Sequence, residues 1–370
     1  MANLEARQSI SAIQLAILII CALFGVQVIT SANQIARVAH QHAWLSMLLG
    51  GAAYYFAAFM MIRLGQFFPA ETFVTYLPRV IGKWLGKLVV LYFCSILLLE
   101  VVVGLRQFGK IIVFFMFDRT PLEVVILVVL IVSAYAAVQD IGTFIRIIQF
   151  FFFTALPVMT LFWFMSVLNF QASNLKPLIP RDFPGILSGA FSSWSAYMGY
   201  EIILMVLPLV NRGKLNIARS VGYGFLIVTL VYTVGIMLAI GVLTSATAEN
   251  LPYPTIMAVR SIELPGLFVE RLENYLILSW CPLVFMTFAI FIFVIAKIGA
   301  EVYGHFDHRP YVFIIAPLAF IMASVLDRPE TLFVLNNVTN VIGVIFSFVI
   351  IPLILGIAWW KRRNSIESSA

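Results

Sequence analysis

Apolar residues along this chain come in long blocks separated by short polar breaks. Ten blocks, near 10–36, 44–65, 87–117, 121–139, 142–168, 185–210, 217–244, 267–297, 309–326 and 331–360, match or approach the roughly 20 residues that one helical crossing of a bilayer takes. None alternates with period 2, as a strand of a transmembrane barrel does, and in hydrocarbon every backbone amide needs a partner within the protein. The pattern therefore predicts an all-α polytopic membrane protein of about ten transmembrane helices. The third and eighth blocks are too long to stand upright, so they are expected to tilt or to extend past the bilayer. The longest connection, between the seventh and eighth, carries Pro252, Pro254 and Pro265 and is expected to form a short amphipathic helix at the interface. The other loops are short, so residues 1–370 read as a single transmembrane domain with a polar, disordered tail at Asn364–Ala370.

Polar residues inside the blocks change this picture at two places, the first helix of each half of the chain. In Phe24-Gly25-Val26-Gln27-Val28-Ile29-Thr30-Ser31, Gly25 frees the backbone and Gln27 puts an amide at membrane depth. One reading is a broken helix whose exposed N–H and C=O groups line a cavity; the other is an intact helix that packs closely at Gly25. The sixth block holds Ser192-Ser193-Trp194-Ser195-Ala196-Tyr197-Met198-Gly199-Tyr200-Glu201, where a break at Gly199 would put Glu201 in the first turn of a second half-helix, the end that favours negative charge. The competing reading is a Ser/Tyr packing face with Glu201 bonded to a neighbouring helix.

Glu100 lies among apolar neighbours in the third block and must face the bundle interior or a water path. Tyr92, Ser95 or Ile96, Glu100 and Val103 fall on one helical face, whereas Arg106, six residues on, does not. A partner for Glu100 is expected on another helix, and it is read either as a functional carboxyl or as a buried structural one. The eighth block carries Trp280, Pro282, Met286 and Thr287, with Pro282 expected to kink it. The tenth carries Asn336-Asn337-Val338-Thr339-Asn340, which suits either an aqueous vestibule or helix–helix hydrogen bonds.

Composition agrees with lipid as the solvent. With 62% apolar residues, 11% charged residues and a mean hydropathy of +1.03, a soluble chain of 370 residues would lack polar surface. The net charge of +6 is read as a topology signal and not as a nucleic-acid footprint. With the N-terminus inside, one face receives Arg7, Arg63, Arg79, Lys83, Lys87, Arg146, Arg212, Lys214, Arg219, Lys297, Arg309, Lys361, Arg362 and Arg363. The other receives Arg37, Lys110, Arg119, Lys176, Arg181, Arg260, Arg271 and Arg328, so 14 stand against 8 and both termini are expected in the cytoplasm. Acidic residues such as Glu263 and Glu270 on the outer face do not reverse this. Trp44, Trp84, Trp359 and Trp360 sit near expected helix ends. Cys21, Cys94 and Cys281 lie inside apolar blocks and read as small hydrophobes, and the pairs His40/His42 and His305/His308 read as loop residues and not as metal ligands. With no phosphate-cradling loop, nucleophile elbow or zinc motif, neither enzymatic activity nor a cofactor is expected.

A glycine break in the first helix and Tyr197-Met198-Gly199-Tyr200-Glu201 in the sixth resemble the amino acid–polyamine–organocation superfamily. Within it, Ile10-Ser11-Ala12-Ile13-Gln14-Leu15 leading to Phe24-Gly25-Val26 is similar to spore germination proteins, specifically the B subunits of germinant receptors. The basic segment Arg79–Lys87 and the Lys361-Arg362-Arg363 end agree, and the resemblance covers essentially the whole chain. It implies a 5+5 inverted-repeat fold with broken helices 1 and 6. It further implies that Gly25, Val26, Gln27 and Val28 offer backbone groups to the carboxylate of an amino acid. Ser195, Tyr197, Gly199, Tyr200 and Glu201 would meet its ammonium and side chain, and Tyr92, Ile96, Glu100, Trp280 and Met286 would close the pocket. One departure is Gln27, where many such transporters have a glycine. The function implied is a germinant-sensing subunit in the inner membrane of a bacterial spore, working with A and C subunits. The alternative is an amino acid/proton symporter with Glu100 as the proton carrier.

Overall fold

Ser11 starts the first helix. Its hydroxyl accepts from the Gln14 amide while the Gln14 side chain accepts from the Ser11 amide, which satisfies two donors that a helix start leaves free. Helix α1 (Ala12–Leu23) then stops, helical geometry lapses across Phe24–Val26, and α2 resumes at Gln27–Ala39. The structure, a computed structural model, describes residues 10–180, 182–210, 217–262 and 271–367. Arg7, Arg181, Arg212, Lys214, Glu263, Pro265 and Glu270, together with residues 267–270 and 368–370, lie outside them.

The chain continues as α3 (Ala43–Phe67), α4 (Phe73–Ile81), α5 (Lys83–Phe115), α6 (Leu122–Ala137) and α7 (Ile141–Phe164). Helix α4 was not separated by the hydrophobic pattern; it folds back on α5, where Gly86 lets the Pro78 backbone approach to within 2.8 Å of where a Cβ would sit. The sixth block splits into α8 (Phe183–Ser192), α9 (Trp194–Tyr197) and, beyond Gly199, a run of tight turns around α10 (Ile203–Val206). Then come α11 (Ile217–Leu243), α12 (Ser245–Asn250), α13 (Pro254–Arg260), α14 (Leu272–Val302) and α15 (Arg309–Val325). The last block is α16 (Pro329–Ile345), a π turn at Phe346–Ile350, and α17 (Ile351–Glu367). Two expectations are corrected. The connection before α14 holds two short helices where one was expected, and Asn364–Glu367, expected as disordered tail, continue α17.

Six helical stretches are long and apolar enough to cross a membrane, and four further apolar helices have 10–17 residues. Among the described residues no strand forms beyond a single bridge between Ile10 and Val210. Helix α14 is the central post: 89% of its apolar window is buried, and it packs on α1, α5, α6, α7 and α15. Helix α1 is held between α14 and α11, which also packs on α3. By contrast α7 turns Phe150, Phe153, Leu161 and Phe164 outward, each more than half exposed, which only a hydrocarbon solvent makes favourable. The chain is a membrane protein.

Charges sit at the ends of this bundle. Arg106, off the face of Glu100 as its spacing predicts, bonds Asp327 at 2.6 Å and Glu123 at 3.3 Å, so it ties α5 to α6 and to the turn before α16. Asp140 caps α7: its carboxylate accepts from the Thr143 amide at 3.0 Å and the Thr143 hydroxyl at 2.9 Å, and these bonds hold its pKa below the usual range. A lowered carboxyl pKa stabilises the fold fully above pH ~4 and loses that contribution as the pH falls through the native value. Asp140→Ala is therefore expected to cost about 1 kcal/mol at neutral pH. The deficit should shrink in acid, which detergent-phase unfolding at the two pH values would show.

Candidate functional site

A broken helix leaves carbonyls that hydrocarbon cannot satisfy. In α1 and its break, three are met by side chains from the flanking helices. Thr287 Oγ1 on α14 donates to the Cys21 carbonyl at 2.7 Å, Tyr232 Oη on α11 to that of Leu23 at 2.9 Å, and Trp280 Nε1 on α14 to that of Gly25 at 3.3 Å. Helix α2 begins at Gln27 with no side-chain cap from Val26; its Ile29 N–H turns back to the Val26 carbonyl at 3.1 Å, and the Gln27 N–H is left without a hydrogen-bond partner among the described residues where Gly25, Val26 and Gln27 border an internal cavity.

The second break is a turn of type II form. Met198 has φ −52° and ψ 138°, Gly199 has φ 111° and ψ −15°, and the latter conformation selects glycine. The Gly199 amide donates to Glu201 Oε2 at 2.8 Å. A Cβ on Gly199 would lie 2.8 Å from the Ala22 carbonyl oxygen and 3.0 Å from the Phe291 ring, so the two breaks touch each other.

Between them lies a cavity of about 40 Å³. Break one contributes Ala22, Leu23, Gly25, Val26 and Gln27; α5 contributes Glu100, Val103 and Gly104. Ser195 and Met198 come from the second break, and Thr287, Phe288 and Phe291 from α14. Glu100 is 4% exposed, and its Oε1 has no hydrogen-bond partner among the described residues, contrary to the expected partner on another helix. Glu201, fully buried, also leaves one carboxyl oxygen unpartnered and lies near enough to Glu100 for the two to repel when both are charged. Gln27 is held at both ends of its amide: Thr30 Oγ1 donates to its oxygen at 2.7 Å, and its nitrogen donates to Gln107 at 3.4 Å, which in turn donates to Asn336 at 3.5 Å. The cavity thus offers a buried carboxyl, an anchored amide, the Ser195 hydroxyl oxygen, whose proton goes to Gln34 Oε1 at 3.1 Å, and the helix-start N–H of Gln27. A small molecule bearing both a cation and an acceptor matches that set.

Of the residues singled out in the sequence, Gly25, Val26, Gln27, Glu100 and Ser195 line this cavity. The others stand around it. Gly199 forms the turn, Glu201 braces it, and Trp280 holds the Gly25 carbonyl while its ring packs against Phe108 at 5.4 Å. Tyr197 donates to the Met47 carbonyl at 3.0 Å and stacks on Phe225, and Tyr200 donates to Ser347 Oγ at 2.6 Å in the π turn. Val28, Ile96 and Met286 are buried away from the lining, and Tyr92 donates to the Ile342 carbonyl on α16. Ala22, Leu23, Val103, Gly104, Met198, Thr287, Phe288 and Phe291 also line the cavity and were not among the expected site residues. The signal for two of them was present, since Val103 and Gly104 follow Glu100 by three and four residues and so share its helical face. Gly104 also lets the Phe288 ring come within 2.8 Å of where its Cβ would be.

Comparison with known proteins points to one family. A family model described as spore germination protein matches residues 9–332. Over 87% of the chain, and 88% of the relative's length, the sequence is 28% identical to spore germination protein YndE of Bacillus subtilis (strain 168). It is 25% identical to spore germination protein B2 of the same organism over 75% of each chain, and 22% identical to spore germination protein GerLB of Bacillus cereus over 92% of each.

Proposed function

The chain belongs to the spore germination protein family, and from that premise we propose that it is the B-type subunit of a germinant receptor that binds a small nutrient in the cavity between its two helix breaks. The observation that carries the reading is Glu100, a buried carboxyl with one unpartnered oxygen, in a cavity that the start of α2 also lines. The carboxyl and the helix start suit the ammonium and carboxylate of an amino acid, and the small volume favours the smallest ones. We further assign the fold to the amino acid–polyamine–organocation superfamily, as ten helices in a 5+5 inverted repeat forming one transmembrane domain. Both termini are placed in the cytoplasm and the chain in the inner membrane of the spore. Binding would bias a pre-existing equilibrium between two bundle arrangements, and A and C subunits would read the change. No covalent chemistry on the nutrient, and no cofactor, belongs to this reading.

The test is a strain lacking this chain, complemented with it beside its partner subunits and exposed to glycine, L-alanine and larger amino acids, sugars and nucleosides. Loss of optical density of the spores is expected with the smallest amino acids and is abolished by Gly25→Leu, whose side chain would fill the cavity. A Gly25→Leu strain that germinates normally at normal expression would remove the site from this place. Accumulation of radiolabelled amino acid in proteoliposomes under a proton gradient would overturn the sensor and make the chain a symporter.

A further inference from the structure

Among the described residues, one helical block contains a π turn: the last passes from α16 through Phe346–Ile350 into α17. There the Ile351 amide donates to the Phe346 carbonyl, five residues back, so the two helices meet at a widened joint. Such turns are rare and concentrate at functional sites. No residue of this turn lines the nutrient cavity, yet the turn is held by the same break that supplies part of that lining.

Tyr200 Oη donates to Ser347 Oγ at 2.6 Å, and both residues are fully buried. One turn earlier, Gly343 has no side chain, and the Trp194 ring fills the space that a Cβ there would take. Trp194 and Tyr200 flank Ser195 and Met198, the two residues by which the second break lines the cavity. A shift of those lining residues therefore reaches the joint within one short segment. On the other side α5 fixes the end of α16: Tyr92 donates to the Ile342 carbonyl at 2.7 Å, and Phe93 stacks on Phe346 at 5.3 Å. Beyond the joint α17 packs on α3 and α4, and at its basic end Lys361 donates to the Arg79 carbonyl of α4 at 3.3 Å. One side of the joint is thus anchored to α5, and the other is tied to the second break.

We propose that the π turn is the joint through which the nutrient cavity moves the basic end of α17, with the Tyr200–Ser347 hydrogen bond as the link. The inference rests on the nutrient-binding reading above and names how that site is read out. Occupation of the cavity displaces Ser195 and Met198. Because Tyr200 is bonded to Ser347, the displacement turns α17 against the anchored α16 and is not spent within the break. Tyr200 and Ser347 are positioning residues here, since neither lines the cavity.

The first experiment needs no nutrient and measures hydrogen exchange of the purified full chain by mass spectrometry. Tyr200→Phe keeps the ring and removes the hydroxyl, and the amides of Ile351–Lys361 are expected to exchange about tenfold faster while those of α7 keep their native rates. Ser347→Ala should do the same, and the double variant no more than either, because both changes remove one bond. Native exchange in α17, equal acceleration in α7, or an additive double variant would each overturn the joint. In spores with native receptor levels, Tyr200→Phe should raise the glycine or L-alanine concentration for half-maximal germination about tenfold. The purified variant should bind that amino acid no more weakly than the native chain, since binding no longer has to move α17. A native dose–response, or a loss of affinity that accounts for the whole shift, would overturn the link. If the native chain bound and answered neither amino acid, the nutrient reading would fail, and hydrogen exchange alone would decide the joint.

Discussion

Replacing Glu100 with glutamine raises the nutrient concentration for half-maximal germination by roughly 10- to 150-fold. The substitution keeps the side chain's shape and removes its charge. A hydrogen bond to a charged group is worth about 1.5–3 kcal/mol, and each 1.4 kcal/mol is about tenfold in affinity, which sets that range. Glu100 is the ionisable residue of the cavity lining, and Arg106 is engaged by Glu123 and Asp327, so nothing in the lining takes over its role. Spores carrying Glu100→Gln should reach the same final extent of germination at saturating nutrient, because the receptor still folds. A dose–response curve that coincides with that of the native chain would take the cation off Glu100. Folding is a weaker concern here, since the native carboxyl already lacks a partner at Oε1 and glutamine leaves no new orphan charge.

Gly199→Ala is expected to act on folding. Alanine at φ 111° costs about 1–3 kcal/mol in backbone strain. Its Cβ would also press on the Ala22 carbonyl at 2.8 Å, a contact with backbone that cannot rotate away. Together these should lower stability by about 2–4 kcal/mol, read as a lower unfolding temperature in detergent and a smaller folded fraction on size exclusion. Gly304→Ala separates the two contributions, because Gly304 also has positive φ, 73°, but nothing within 4 Å of the Cβ position. If the Gly199 variant lost no more than the Gly304 variant, the two breaks would not be in the contact described.

The hydrophobic pattern made most helices legible because crossing hydrocarbon is a one-dimensional requirement of length and apolarity. It failed where that requirement is absent: α4 is short, lies in a loop and packs on α5, and the continuation of α17 past Asn364 extends a helix into polar sequence. Both interruptions were legible for the same local reason. Gly25 and Gln27, like Gly199 and Glu201, put backbone freedom and polarity where lipid penalises them.

The lining of the cavity was only partly legible. Glu100 was visible as a carboxyl without a local partner, with Val103 on its helical face, and Gly104, four residues on, could have been read with it. Phe288 and Phe291 could not, because they are two among many apolar residues of a helix buried on nearly every side. Their place depends on how α14 is rotated against α1. Tyr92 and Ile96 shared the expected face of α5 with Glu100, but 33 residues of one helix reach across several layers of the bundle, and a shared face does not mean a shared depth.

The sequence by itself determined that the chain crosses membrane as helices, because every intramembrane amide must find a partner near itself in the chain, and it marked two places where a helix could break. Only the tertiary structure decided what those breaks do. The Trp280 indole that meets the Gly25 carbonyl stands 255 residues away, and the Ala22 carbonyl meets Gly199 from the other break. Such partners are fixed by the rotation and depth of packed helices, which no local pattern encodes.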